Sequence, residues 1–197
     1  MPTPIPECIK NFFARFPLLS PTIKKMNAAN IPFAIGGSGC LFLYGNERTP
    51  DDVDIFLPDD KHDDADKLFG IKSFTYKSET ENVRNSNPEG NHAIQLTSHL
   101  VLNIEGKMYN LSLNENVLQN VTNFEYQGVM VGLLPVEDVL LTKMLLQRGH
   151  DVGKHDVEDV QNFLKLQPNI DIKYLESRID ELGARERVGD IKRFFLN

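Results

Sequence analysis

Ile35-Gly36-Gly37-Ser38-Gly39, followed by Arg48-Thr49-Pro50-Asp51-Asp52-Val53-Asp54-Ile55, is the stretch on which the reading of this chain turns. A glycine-rich turn opens a short apolar helix, Gly39–Tyr44. A loop follows, then a strand, Val53–Leu57, that starts between two aspartates. Side chains alternate across a strand, so Asp52 and Asp54 share a face. Two carboxylates held that close repel each other, and a divalent cation such as Mg²⁺ or Mn²⁺ relieves the repulsion. The Gly36-Gly37-Ser38 turn offers backbone N–H groups and a helix start to a phosphate.

Working outward, Glu7–Phe16 and Pro21–Asn30 read as short amphipathic helices before a first strand, Ile31–Ile35. Asp59–Phe69 reads as a charged surface helix stopped by Gly70. Strands are expected at Phe74–Lys77, Ala93–Thr97, Leu100–Ile104 and Lys107–Leu113, with Glu105-Gly106 turning the last pair into a hairpin. The polar segment Glu79–Asn91 reads as a loop or an irregular strand end, and Tyr126-Gln127-Gly128-Val129 as the turn of a second hairpin. From Pro135 the pattern is helical: Val136–Leu146, Asp156–Leu166, Ile172–Leu182 and Ala184–Phe195. The expected fold class is therefore α/β (α+β), a mixed sheet with flanking helices and a helical C-terminal part. The expected division is 1–134 for the α/β domain with its N-terminal helices and 135–197 for the helical subdomain.

With 197 residues, 41% of them hydrophobic, the chain can bury a core. A formal net charge of −7 argues against broad, nonspecific coating of nucleic acid, though a local groove for one RNA end remains compatible with it. The two cysteines, Cys8 and Cys40, lie in different segments and suggest no disulfide framework, which points to a reducing cytoplasm. The N-terminus carries no basic-plus-apolar leader, and no apolar run is long enough to span a membrane.

The ordered pair Gly-Gly-Ser and Arg-Thr-x-Asp-Asp-Val-Asp, over Phe33 to Leu57, resembles the nucleotidyltransferase superfamily. It looks most like the minimal branch and the abortive-infection, toxin-like branch found in toxin–antitoxin pairs. The resemblance implies a nucleotidyltransferase-like fold and the transfer of a nucleoside monophosphate from a nucleoside triphosphate to a hydroxyl of RNA, protein or a small molecule. It also implies Mg²⁺ (or Mn²⁺) on Asp52 and Asp54, phosphate contacts from Gly36, Gly37, Ser38 and Arg48, and the possibility of an antitoxin partner.

A second constellation resembles later motifs of the same toxin-like families: Leu134-Pro135-Val136-Glu137-Asp138, then Lys143, Arg148 and Lys154-His155-Asp156-Val157-Glu158-Asp159. A lysine on a largely apolar helix is costly unless it reaches a carboxylate or a phosphate, and Arg148 could fork onto a phosphate. Lys143 and Arg148 could equally pair with Asp156 and Asp159 and pin two helices together. The resemblance favours a catalytic role for Lys143 and Asp156 and nucleotide binding by Arg148.

Many superfamily members carry a third carboxylate on the strand beside Asp-x-Asp. The expected strand is Lys107–Leu113, where Asn110 stands instead, and an amide cannot serve as an anionic base. Glu105 or Asp156 could substitute, two ligands could suffice, or the fold could be a weakened binding or regulatory module. None of His62, His92, His99, His150 and His155 forms a metal-spaced pair on one helix with a carboxylate set. His62 reads as part of a solvated charged face, and His150 and His155 as polar surface or helix capping. Phe12, Phe13 and Phe16 read as core.

Overall fold

The computed structural model describes residues 3–88, 90, 93–166 and 169–189. His92 and the end of the helix expected at Ala184–Phe195 lie outside these residues. The chain runs α1 (Pro6–Arg15), α2 (Leu19–Ala28), β1 (Ala34–Ile35), α3 (Gly37–Leu43), β2 (Val53–Phe56), α4 (His62–Phe69), β3 (Phe74–Lys77), β4 (Glu81–Ser86), β5 (Ile94–Ile104) and β6 (Lys107–Asn110). It continues through α5 (Glu115–Gln119), β7 (Thr122–Tyr126), β8 (Val129–Leu133), α6 (Val136–Leu146), α7 (Asp156–Lys165), α8 (Ile172–Glu181) and α9 (Arg185–Val188).

Among the described residues the strands form one mixed sheet in the order β3-β4-β5-β2-β1-β8-β7, with β6 paired to the second half of β5. β2 runs parallel to β5, and β1 parallel to β8; the other pairings are antiparallel. The helices flank this sheet, as the sequence pattern leads one to expect. One continuous apolar cluster joins Phe12, Phe13 and Phe16 of the N-terminal helices, the sheet, and residues as far along as Val188. It crosses the switch from strand to helix between Leu133 and Val136 without a break. Cys40 is part of that core, with its thiol against the Leu134 carbonyl at 3.5 Å.

Two pairings position the site. β1 is antiparallel to β2, with Ile35 opposite Ile55, so the turn after β1 lands beside the start of β2. β1 is parallel to β8, with Ile35 opposite Leu133, so α6 leaves β8 at the same end of the sheet. The glycine turn, the two aspartates and the face of α6 therefore meet although they are far apart in sequence. β2 lies in the middle of the sheet, not at its edge, paired with β1 on one side and β5 on the other.

Several expectations need correcting. Ala93–Thr97 and Leu100–Ile104 are one strand, in which His99 at φ 51° makes a kink where the β4–β5 register shifts. The expected loop Glu79–Asn91 contains β4, which is polar but paired on both sides, so tertiary pairing overrides composition. α5 has weak periodicity and is fixed by its cap, the Asn114 side chain accepting the Val117 N–H at 3.0 Å. His62 is fully buried, its ring nitrogens 2.7 Å from Ser98 Oγ and 3.1 Å from Ser86 Oγ. It occupies the inner face of an otherwise charged helix. Burial lowers its pKa, keeping the ring neutral between two hydroxyls.

Candidate active site

A cleft of about 650 Å³ opens where these elements converge. Its walls include Gly37 and Ser38 from the glycine turn, Asp52 and Asp54 from the start of β2, Gln95 and Thr97 from β5, Glu81 and Val83 from β4, and Thr142 and Lys143 from α6. Arg148, Lys154, His155 and Asp156 close it from the loop before α7. Phe56, Leu100, Leu111, Leu113, Val117, Leu134 and Val139 form an apolar floor, and the exposed rings of Phe74 and Tyr76 stand on β3 at the rim.

The glycines are explained by how close the turn comes to β2. Gly36 donates its N–H to the Asp54 carbonyl at 2.9 Å, and a Cβ there would lie 2.4 Å from the Phe56 ring. Its amide is spent on holding the turn to the strand. Gly37 has φ +57°, and a Cβ on it would stand 2.6 Å from Asp54 Oδ2. No side chain fits there, and the main chain of the turn lies against the carboxylate. Gly37 and Ser38 are thus the part of the turn that faces the cleft.

Asp54 is under electrostatic stress. Burial, and then the neighbouring charge of Asp52, push its carboxyl from 3.8 to about 6; Glu81 adds to the rise, while Lys143 and Lys154 oppose it. Asp52 sits on the bend just before β2 and lines the same cleft. The strand beside β2 is β5, and Asp54 is paired in register with Gln95. This corrects the expected neighbour: Lys107–Asn110 pairs farther along β5, where Asn110 faces Val101 and is exposed, its Oδ1 accepting the Ser112 N–H. The long parallel β2–β5 pairing could not be read from a hairpin turn. Glu105 is also remote from the cleft and pairs with Arg187 at 3.2 Å. An amide, Gln95, therefore occupies the position next to Asp54.

Across the cleft, Lys143 Nζ lies 3.1 Å from Asp156 Oδ1 and 2.9 Å from Asp159 Oδ2. Arg148 bonds Asp156 Oδ2 through Nε at 2.6 Å and Glu81 Oε2 through Nη1 at 2.9 Å. Arg48 forks onto Asp159 with bonds of 2.7 and 2.6 Å. Burial pushes Asp159 up, but Arg48 and Lys143 more than offset it and hold the carboxyl below its usual range. The arrangement pins α6, α7 and the Arg48 loop together, and the same residues form a cleft wall. Lys154, by contrast, is exposed, and among the described residues no carboxylate pairs with it. Glu81, Gln95 and Lys154 are cleft residues to which sequence reasoning gave no role. Alternation in Ile94-Gln95-Leu96-Thr97 signals Gln95 and Thr97 as a polar face, and Lys154 follows a glycine turn.

The donors around Asp52 and Asp54 are oxygens, the ligand type that Mg²⁺ and Mn²⁺ prefer. Asp51, Asp52, Asp54, Glu81, Asp138 and Asp156 outnumber the cations on the cleft wall, of which Arg48, Lys143 and Arg148 are already paired. A divalent cation fits this charge balance. Asp138 is bound by Arg178 at 2.7 Å and by the Tyr174 hydroxyl at 2.6 Å, so it anchors α8 to α6. No helix among the described residues is long and apolar enough to cross a membrane.

No protein-family model and no curated protein matches the sequence. Among solved structures the chain is similar to a putative nucleotidyltransferase from Thermotoga maritima, with 14% identity over 71% of this chain and 88% of that one and a TM-score of 0.56. It is also similar to ANT(2")-Ia in complex with adenylyl-2"-tobramycin, with 10% identity over 88% of this chain and 99% of that one and a TM-score of 0.53. At such identities the likeness is one of fold, and the chain has a nucleotidyltransferase-like fold.

Proposed function

We propose that the chain is a metal-dependent nucleotidyltransferase that moves a nucleoside monophosphate from a triphosphate to an acceptor hydroxyl. The observation that carries this reading is the contact of the Gly37 main chain with the Asp54 carboxylate, in a cleft that also holds Asp52 and Ser38. A phosphate-type turn and an acid pair share one site there. Asp52 and Asp54 would hold the Mg²⁺ or Mn²⁺. When bound, that ion supplies Lewis-acid stabilisation of the phosphoryl oxygens and lowers the pKa of the acceptor hydroxyl.

The remaining roles belong to the chain's own groups. The Ser38 hydroxyl and the Gly37 and Ser38 amides, on the turn that lines the cleft, would orient a phosphate beside the acid pair. Lys154 is free to neutralise charge on the leaving pyrophosphate. Lys143 and Arg148, already paired with Asp156, Asp159 and Glu81, would fix the wall facing the phosphates rather than carry free positive charge. Gln95 beside Asp54 can donate or accept a hydrogen bond but cannot remove a proton. Asp54, whose carboxyl is raised to about 6 in the metal-free chain by burial and the charge of Asp52, would instead serve as a ligand of the ion, whose charge relieves that repulsion. The apolar floor and the aromatic rings of Phe74 and Tyr76 offer a surface for a base or an acceptor ring.

The test incubates the chain with labelled nucleoside triphosphates, Mn²⁺ or Mg²⁺, and separate pools of RNA, protein and small-molecule alcohols. Label should appear in one pool and be lost in Asp54→Asn. A toxin-like role would appear as growth arrest on expression that also needs Asp54 and is relieved by a co-expressed antitoxin. Gln95 favours a second reading, a weakened fold that binds nucleotide for regulation; triphosphate binding with no label in any pool would support that reading over transfer.

A further inference from the structure

At the rim of the same cleft, through His155, a second cluster combines two histidines and a glutamate. His150 lies in a 3₁₀ turn, His150–Val152, and His155 and Glu158 lie at the start of α7. His150 Nε2 and His155 Nδ1 each stand 3.0 Å from the same atom, Glu158 Oε2. The two imidazole rings are 4.4 Å apart at 88°, and one ligand atom from each of the three side chains lies within 4.8 Å of the others.

The backbone explains why they converge. Gly153 adopts φ 66°, its N–H bonds the His150 carbonyl at 3.0 Å, and the Lys154 N–H bonds the Gly149 carbonyl at 3.0 Å. That closed turn brings the His150 ring back over His155. His155 occupies the N-cap position of α7, but its side chain makes no capping bond, so of the two expected roles, polar surface or helix capping, it is not a cap; its Nδ1 faces Glu158 instead. Two rings aimed at one exposed carboxylate oxygen gain little from ion pairing in water. Two imidazole nitrogens and one carboxylate oxygen are, however, the donor set of three-ligand zinc sites.

We propose that His150, His155 and Glu158 form a binding site for a transition-metal ion of the Zn²⁺ class. Its nitrogen donors select against Mg²⁺, which keeps the site chemically separate from Asp52 and Asp54. The bound ion joins the 3₁₀ turn to α7 and so clamps the loop that carries Lys154 into the cleft wall. The site is thereby a regulatory one, acting on the posture of a cleft cation.

The test uses the full, metal-stripped chain. Zn²⁺ is titrated in competition with a chromophoric chelator, and Co²⁺ is added separately to read the absorption of a low-coordinate N/O site. One Zn²⁺ should bind, with an affinity that falls by more than about a hundredfold in a His150→Ala/Glu158→Gln double variant, since losing even an outer-shell partner of a ligand costs up to about that much and this variant removes two of the three ligands themselves. Excess Mg²⁺ should not displace it, and Asp54→Asn should leave it unchanged. His150 is exposed and Glu158 partly so, and neither belongs to the core, so circular dichroism of the double variant should match the parent. Absence of Zn²⁺ binding, equal binding by the double variant, or displacement by Mg²⁺ would each overturn the proposal. None of these readouts depends on nucleotidyl transfer.

Discussion

Replacing Asp54 by Asn in the metal-free protein should raise stability, and the gain should depend on pH. In the folded chain the Asp54 carboxyl is pushed from 3.8 to about 6, chiefly by burial and the charge of Asp52. At roughly 1.36 kcal/mol per pKa unit, a rise of about two units corresponds to about 3 kcal/mol. Asp54 is half-buried, so solvent screening trims this, and about 1–2 kcal/mol is expected. The folded value lies above the unfolded one, so below 3.8 both states hold the proton and the carboxyl costs nothing. Between 3.8 and about 6 the folded state binds the extra proton, and stability falls as pH rises through that window. Above it the full penalty stands. Asn mimics the protonated form, so the variant should match the parent near the acid end and exceed it around pH 8. Denaturant melts with a chelator present, repeated across the window, measure this directly. Mn²⁺ should then stabilise the parent by mass action and leave the variant unmoved. A variant less stable than the parent around pH 8, or a difference that ignores pH, would refute the picture of two crowded carboxylates awaiting a cation.

Three further outcomes follow from the geometry. Gly37→Ala should cost about 1 kcal/mol for the left-handed backbone alone; because its Cβ would stand 2.6 Å from Asp54 Oδ2, it should also abolish the Mn²⁺ response in the same melts. Arg48→Lys should destabilise by about 1–2 kcal/mol, read by thermal denaturation, since a single ammonium cannot replace the fork on the fully buried Asp159. Tyr174→Phe removes the 2.6 Å hydroxyl bond to Asp138 and should cost about 1.5–3 kcal/mol, while leaving metal binding at Asp52 and Asp54 unchanged by calorimetry.

What could be read from sequence was local. The Gly-Gly-Ser turn, the short helix after it, the aspartate-flanked strand and the helical C-terminal third all follow from periodicity and turn chemistry within windows of about a dozen residues. The misreadings share a physical cause, which is pairing between distant segments. β4 is polar in composition and becomes a strand because β3 and β5 pair with it on both sides. The Ser98-His99 break is one kinked strand because β2, β4 and β6 all need β5 as a partner. The hairpin signal at Glu105-Gly106 points to Lys107–Leu113 as the neighbour of Asp54, whereas a parallel pairing with no local signature supplies Gln95. His62 has charged neighbours along the helix, but the helix turns that one ring inward onto Ser86 and Ser98.

Of the two readings of Lys143 and Arg148, helix pin or phosphate ligand, the structure shows the ion pairs of the pin, made on the wall of the cleft. Each cation is held by carboxylates of α7 or β4, yet each also lines the cleft, and the charge of Lys143 still reaches Asp54. A buried lysine left unpaired would lose its proton or its place. Paired with Asp156 and Asp159, Lys143 is fixed in place, at the expense of much of its outward field. The pins therefore set the posture of the wall, while its net charge remains negative. Under the proposed function, a triphosphate would be repelled from such a cleft unless a cation entered with it, so the same ion pairs that hold the fold together would make nucleotide binding conditional on metal. The exposed Lys154 is the cleft cation able to respond on arrival, and it sits on the turn between His150 and His155, where the second metal site would govern it.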